Sequence, residues 1–142
     1  MQKMFSIALI AIVAATAQAG PVKIAKLGCE LDIPADWKVS LMESMVSANA
    51  KAIDAQMVVT KGYGGLQSAR SSWQSMLKVK RTLEDSNEKW SIEVEPDKAH
   101  VGMRSYAVLV GNATNSCMLN IHVHFDNNAI AEGMAKTMLM SK

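Results

Sequence analysis

Aromatic residues are scarce in this 142-residue chain: three Trp, two Tyr and two Phe are the whole supply. That shortage argues against a carbohydrate platform, which needs a row of exposed rings. Charge of one sign is also lacking, with 15 Lys and Arg against 13 Asp and Glu. Nucleic acid is therefore not expected as a partner, because neutralising phosphates takes a clustered basic surface. The nearest cluster, Lys78, Lys80 and Arg81, is followed at once by Glu84 and Asp85 and reads as a solvated helix face. Cys-x-x-Cys and Gly-x-Ser-x-Gly are both absent, which removes the sequence signals of a redox thiol pair and of a nucleophile elbow. Apolar runs stay short of the roughly 20 residues that span a bilayer. There is no internal repeat and no low-complexity tract.

What is present first is an address. Lys3 carries a positive charge, Phe5 to Ala15 form a short apolar run, and Ala17-Gln18-Ala19 supplies the small-x-small pattern of a signal-peptide cleavage site. Residues 1–19 are read as a cleaved leader and residues 20–142 as a single domain, placed in the periplasm or secreted. Leu27-Gly28-Cys29 has the outline of a lipidation box, but Lys23 and Lys26 separate it from the apolar run. The mature chain needs no membrane span. Without Lys3 its balance is 14 basic against 13 acidic side chains, which is nearly neutral.

Export changes the reading of the two cysteines. An even number of cysteines in an oxidising compartment most simply pairs, so Cys29 and Cys117 are expected to form a structural disulfide.

Hydrophobic periodicity divides the rest. Leu31 and Ile33 alternate with Glu30 and Asp32 until Pro34 interrupts, and Trp37, Val39 and Leu41 resume the alternation, so residues 29–34 and 37–43 read as a strand pair joined by a turn. Residues 45–52 fit helix or loop. A third strand over 53–61 places Ala55, Met57 and Val59 on one face. From Leu66 the period becomes helical through Ala69, Trp73, Met76, Leu77, Lys80 and Leu83, and the helix should stop near Asp85-Ser86-Asn87. Trp90, Ile92 and Val94 mark a strand. Two more, at 99–111 and 117–125, flank a hairpin loop, the former apolar on both faces and hence central. Asp126-Asn127-Asn128 can cap a last helix carrying Ile130, Met134 and Met138. The expected fold is α+β, an antiparallel six-stranded sheet in the order β-β-β-α-β-β-β-α with two main helices packed on it.

This element order, opened by Leu31-Asp32-Ile33-Pro34-Ala35-Asp36-Trp37, resembles the PsbP-like superfamily of α/β/α sandwich domains over roughly Cys29 to Met140. The resemblance implies a fold more than an activity, since members are mostly accessory and immunity proteins and not enzymes. It carries over no binding residues.

Motifs for chemistry are few. Ser75-Met76-Leu77-Lys78 fits Ser-x-x-Lys, but 13 serines and 12 lysines in the chain yield about one such spacing by accident, and the companion motifs are missing. Gly62-Tyr63-Gly64-Gly65 reads as a strand-to-helix turn without phosphate-loop spacing, and Tyr63 at its tip is a candidate partner contact. Glu93 and Glu95 look like surface charges. In Asn120-Ile121-His122-Val123-His124-Phe125-Asp126, alternation puts both imidazoles on one face, so His122 and His124 are the candidate metal ligands, with His100 as a third if its strand is adjacent. The competing assignment makes them an ordinary solvated strand face. No cofactor is called for. The function expected is an exported, non-enzymatic protein-binding module of the bacterial envelope, either an immunity-type inhibitor of a secreted toxin or an accessory factor. The alternative is a small periplasmic copper or zinc protein using His122 and His124.

Overall fold

The computed structural model describes residues 20–24 and 27–142. The expected leader and its cleavage point lie outside the described residues. Among the described residues, ten strands form two antiparallel sheets, and two helices pack on them. The larger sheet has seven strands in the order β3-β4-β5-β9-β8-β7-β6, and the smaller has three in the order β1-β2-β10. The α+β class and the antiparallel pairing are as expected. The six-strand count and the expected element order are not, and each departure has a local cause.

β1 (Gly20–Ile24) and β2 (Cys29–Ile33) form a hairpin whose turn ends at Gly28, in the left-handed region with φ +76° that glycine tolerates. β3 (Lys38–Leu41) follows the expected Pro34–Trp37 turn, closed by the Trp37 N–H donating to the Pro34 carbonyl at 3.0 Å. The turn does not join a strand pair, however. β2 stays in the small sheet while β3 pairs with β4 (Met45–Ala50), a strand where helix or loop is expected from the sequence. β5 (Ala55–Lys61) carries Ala55, Met57 and Val59 buried on one face, as its alternation required.

α1 spans Leu66–Met76 and stops well short of Asp85. Leu66, Ala69 and Trp73 are its buried stripe, whereas Met76 is 71% exposed. Of the residues expected to continue the stripe, Leu77 caps the helix end, while Lys80 and Leu83 belong to β6 (Val79–Asp85), an edge strand whose register shifts twice against β7 (Lys89–Val94). β8 (Met103–Gly111) and β9 (Ser116–His124) form the expected hairpin, but the strand expected to start at residue 99 starts only at Met103, with Lys98–His100 in a 3-10 turn before it; β8 is buried on both faces from Ser105 onward. α2 (Asn128–Thr137) starts after a 3-10 turn, without a side-chain cap: Asn127 instead donates from Nδ2 to the Ile53 carbonyl at 3.2 Å. β10 (Leu139–Met140) closes the small sheet against β2.

Each face of the large sheet has its own cover. On one, Val46, Met57, Val59, Tyr106, Val108, Leu119, Ile121 and Val123 pack beneath α2 and the small sheet. On the other, α1 lays Leu66, Ala69 and Trp73 over Trp90, Ile92, Ala107 and Leu109. The expected disulfide is present: Cys29 of β2 and Cys117 of β9 are bonded, with Cα atoms 6.5 Å apart and both side chains fully buried. It staples the small sheet to the centre of the large one, and its chemistry is compatible with an exported protein. Among the described residues no helix is long and apolar enough to cross a membrane.

Candidate functional site

α1 covers only the β7–β8 half of its face. Beyond it, the same face of β4, β5 and β9 presents Ser47, Asn49, Gln56, Val58, Thr60, Asn120 and His122, all exposed or half-buried. None of these side chains is acidic or basic at neutral pH apart from the imidazole. The result is a neutral hydrogen-bonding surface across three strands. Tyr63, 88% exposed, stands in the loop that leaves β5 at one end of it.

The imidazoles gather at the opposite end. The turn Lys98–His100 folds back so that the His100 ring stacks on His122, with centroids 3.6 Å apart and planes 5° from parallel. Asp97 holds the turn by accepting from the Ala99 and His100 backbone N–H groups, and it lies 2.7 Å from His100 Nδ1. Gln56 Nε2 is 2.8 Å from His100 Nε2, and Ser105 Oγ is 2.7 Å from His122 Nδ1. Burial, reinforced by the neighbouring His100 and opposed by Asp97, pushes His122 down to about 4. His122 is thus a neutral ring within a hydrogen-bonded cluster.

These contacts bear on ligand capacity. Both nitrogens of His100 and Nδ1 of His122 already have partners, and stacked rings direct their in-plane lone pairs side by side and not at one point. His124 lies apart from the stack, against Phe125 and 3.5 Å from Asp126. Among the described residues, no group of three or more His, Cys, Asp or Glu side chains converges on a point that could hold a metal ion.

A second polar cluster was invisible in the sequence. Glu93, read as a surface charge, is buried on the α2 side of β7, where Arg104 grips it through two hydrogen bonds of 2.9 Å and Arg81 adds contacts at 3.1 and 3.2 Å. Arg81 also bonds Glu132 of α2, which accepts from the Tyr106 hydroxyl at 3.2 Å. The Arg104 hydrogen bonds hold the Glu93 carboxyl below the usual carboxylate range against the opposing effect of burial. Burial pushes the Tyr106 phenol up to about 12. Lys78, Lys80 and Arg81, expected on a helix face, lie at or near the start of β6 and meet Glu93 and Glu95 across the strand pair. Lys89, also buried, donates from Nζ to the Lys136 carbonyl at 2.9 Å near the end of α2. Only the alternation of β7, which turns Lys89, Ser91 and Glu93 toward α2, could have signalled either residue.

The remaining motifs resolve as scaffold. Ser75 donates to the Ser72 carbonyl at 2.8 Å, while Lys78 lies beyond the helix end and faces Glu95. At the glycine turn the first helical N–H, that of Leu66, is taken by the Asn112 carbonyl at 2.9 Å, so it does not point into an anion site. Gly65 is there because a Cβ would strike the Ala113 and Asn112 carbonyls. Trp37, Trp73 and Trp90 are buried.

The architecture is an antiparallel α+β domain with covers on both sheet faces. No family model matches the chain, and no curated protein matches it. Solved structures do. A crystal structure from Bacteroides thetaiotaomicron VPI-5482 aligns with TM-score 0.62 at 11% identity, over 88% of this chain and 49% of that one. The chain therefore spans about half the length of that protein, and the likeness is one of fold. LpqN of Mycobacterium tuberculosis, a protein involved in cell envelope biogenesis, aligns with TM-score 0.46 at 13% identity, over 87% of this chain and 90% of that one.

Proposed function

We propose that this chain is an exported, non-enzymatic binding module of the bacterial envelope whose partner is another protein. The observation that supports the reading most is the uncovered half-face of β4, β5 and β9. Ser47, Asn49, Gln56, Val58, Thr60 and Asn120 offer donors and acceptors on a rigid sheet, with exposed Tyr63 at one end as an aromatic anchor. The PsbP-like resemblance fits the same role and leaves two versions of it, an immunity-type inhibitor of a secreted toxin and an envelope accessory factor. The copper or zinc alternative at His122 and His124 is the less supported reading, since His122 Nδ1 already meets Ser105 and His124 lies apart from the stack, against Phe125.

The test is an affinity capture from envelope extracts in which the native chain is compared with a Val58→Arg/Asn120→Arg variant. Both positions are partly exposed, so the variant should keep its fold by circular dichroism. The expected outcome is a protein recovered with the native chain and lost, by tenfold or more (about 1.4 kcal/mol), with the variant. Equal recovery with both, or recovery of the chain alone, would sink the reading.

A further inference from the structure

The two ends of the seven-stranded sheet are built differently. β6 ends one side and carries the usual protections of an edge: Lys80, Arg81, Glu84 and Asp85, two register shifts, and an ion pair from Asp85 to Arg70 at 2.6 Å. β3 ends the other side and has almost none of these. Lys38 is its single charge, its register against β4 is regular, and Val39 and Leu41 are 39% and 72% exposed, followed by Met42 at 53%.

The backbone of β3 is also set for pairing. The Met42 N–H donates to the Met45 carbonyl at 2.9 Å, which turns the Met42 backbone toward β4. Alternation turns Ser40 and Lys38 the same way and leaves the N–H and C=O groups of Val39 and Leu41 pointing outward. We propose that a second copy of this chain adds antiparallel to β3 across a two-fold axis passing through Ser40, joining two seven-stranded sheets into one.

The short strand is self-complementary in that register. Val39 stands opposite Leu41 of the second copy and exchanges two hydrogen bonds with it, and the symmetry repeats the pair, giving four. Both side chains lie on the same sheet face, so each exposed Leu41 gains an apolar cross-strand neighbour. Lys38 falls opposite Met42 of the second copy, where its aliphatic stem can lie along the thioether. No like charges meet along the strand. Ser40 meets its own symmetry mate as a non-hydrogen-bonded pair, with Cα atoms about 4.5 Å apart and within the range a disulfide spans.

The experiment uses protein recovered from the periplasm after expression of the full gene, with its Cys29–Cys117 bond intact. Sedimentation from about 1 to about 100 µM should show monomer passing to dimer, the behaviour of a small interface. Leu41→Lys should weaken the dimer at least about tenfold while leaving the far-ultraviolet spectrum unchanged, since Leu41 is exposed in the monomer. Under mild oxidation Ser40→Cys should give a disulfide-linked dimer on a non-reducing gel, and Lys38→Cys, whose symmetry mate lies elsewhere, should not. The native cysteines are paired and fully buried, so they do not compete. Monomer throughout the series, a dimer indifferent to Leu41→Lys, or equal cross-linking at both positions would each overturn the proposal.

Discussion

Acid acts on this fold through the ring at position 122. Its imidazole is held at about 4, whereas an imidazole in the unfolded chain titrates near 6.5. Above the unfolded value the ring is neutral in both states and imposes no cost. As pH falls from about 6.5 to about 4, the unfolded chain takes up a proton that the folded chain refuses, so stability is lost across that window. With the ring partly exposed and solvent screening discounted, the loss comes to about 1 to 2 kcal/mol. Urea midpoints at pH 7 and pH 5 should therefore differ more for the native chain than for His122→Gln, which keeps a polar partner near Ser105 but cannot titrate. A different residue governs stability at neutral pH. Glu93 is 6% exposed in its side chain and faces Arg81 and Arg104, so Glu93→Gln leaves two guanidinium groups without their shared counter-charge. Because both arginines keep some access to water, the expected loss is about 2 to 3 kcal/mol in urea unfolding at pH 7. A change below about 0.5 kcal/mol would mean that the cluster acts as an ordinary surface pair.

At the scale of elements, the sequence was readable where one face of a segment is buried and the other is not. β5 and β9 alternate cleanly because Met57, Val59, Leu119 and Ile121 meet the core while Gln56, Thr60 and Asn120 do not. β8 declared itself central by being apolar on both faces. Edges were the failure. In β6 only Leu83 is even half-buried, so no alternation marks it, and its Leu83 happened to prolong the helical spacing of Leu66, Ala69 and Trp73. β10 has two residues, too few for any period. The Pro34–Trp37 turn was legible as a turn, but nothing local says that the strands on either side of it enter different sheets. The same holds for the candidate site. Alternation placed His122 and His124 on one face, yet the stack of His100 on His122 depends on the Asp97 turn folding over the sheet. Glu93 was missed because a carboxylate beside a proline turn normally faces water, and its two arginine partners arrive from other strands.

For the whole molecule, the decisive feature is that the small sheet is assembled from opposite ends of the described chain. β1 and β2 come first, β10 comes last, and between them lies the whole of the large sheet. Such non-local pairings close loops at an entropic cost before they return any burial. The Cys29–Cys117 bond spans 88 residues, and in the chain-entropy treatment a link of that length stabilises by about 4 to 5 kcal/mol. It joins β2 to β9, so its removal should be felt unequally. In a Cys29→Ala/Cys117→Ala variant, β8 and β9 keep their pairing on both sides, whereas the small sheet keeps its packing on α2 and the large sheet but loses its covalent tie. Hydrogen exchange followed by mass spectrometry should show backbone amides of β2 and β10 opening in the variant at a distinctly lower free energy than those of β8 and β9. In the native chain the two groups should exchange at similar free energies, near that of global unfolding. The melting temperature should fall by about 10 °C or more. If the variant loses protection uniformly, the two sheets form one cooperative unit without the disulfide, and the bond would then act on the unfolded chain alone.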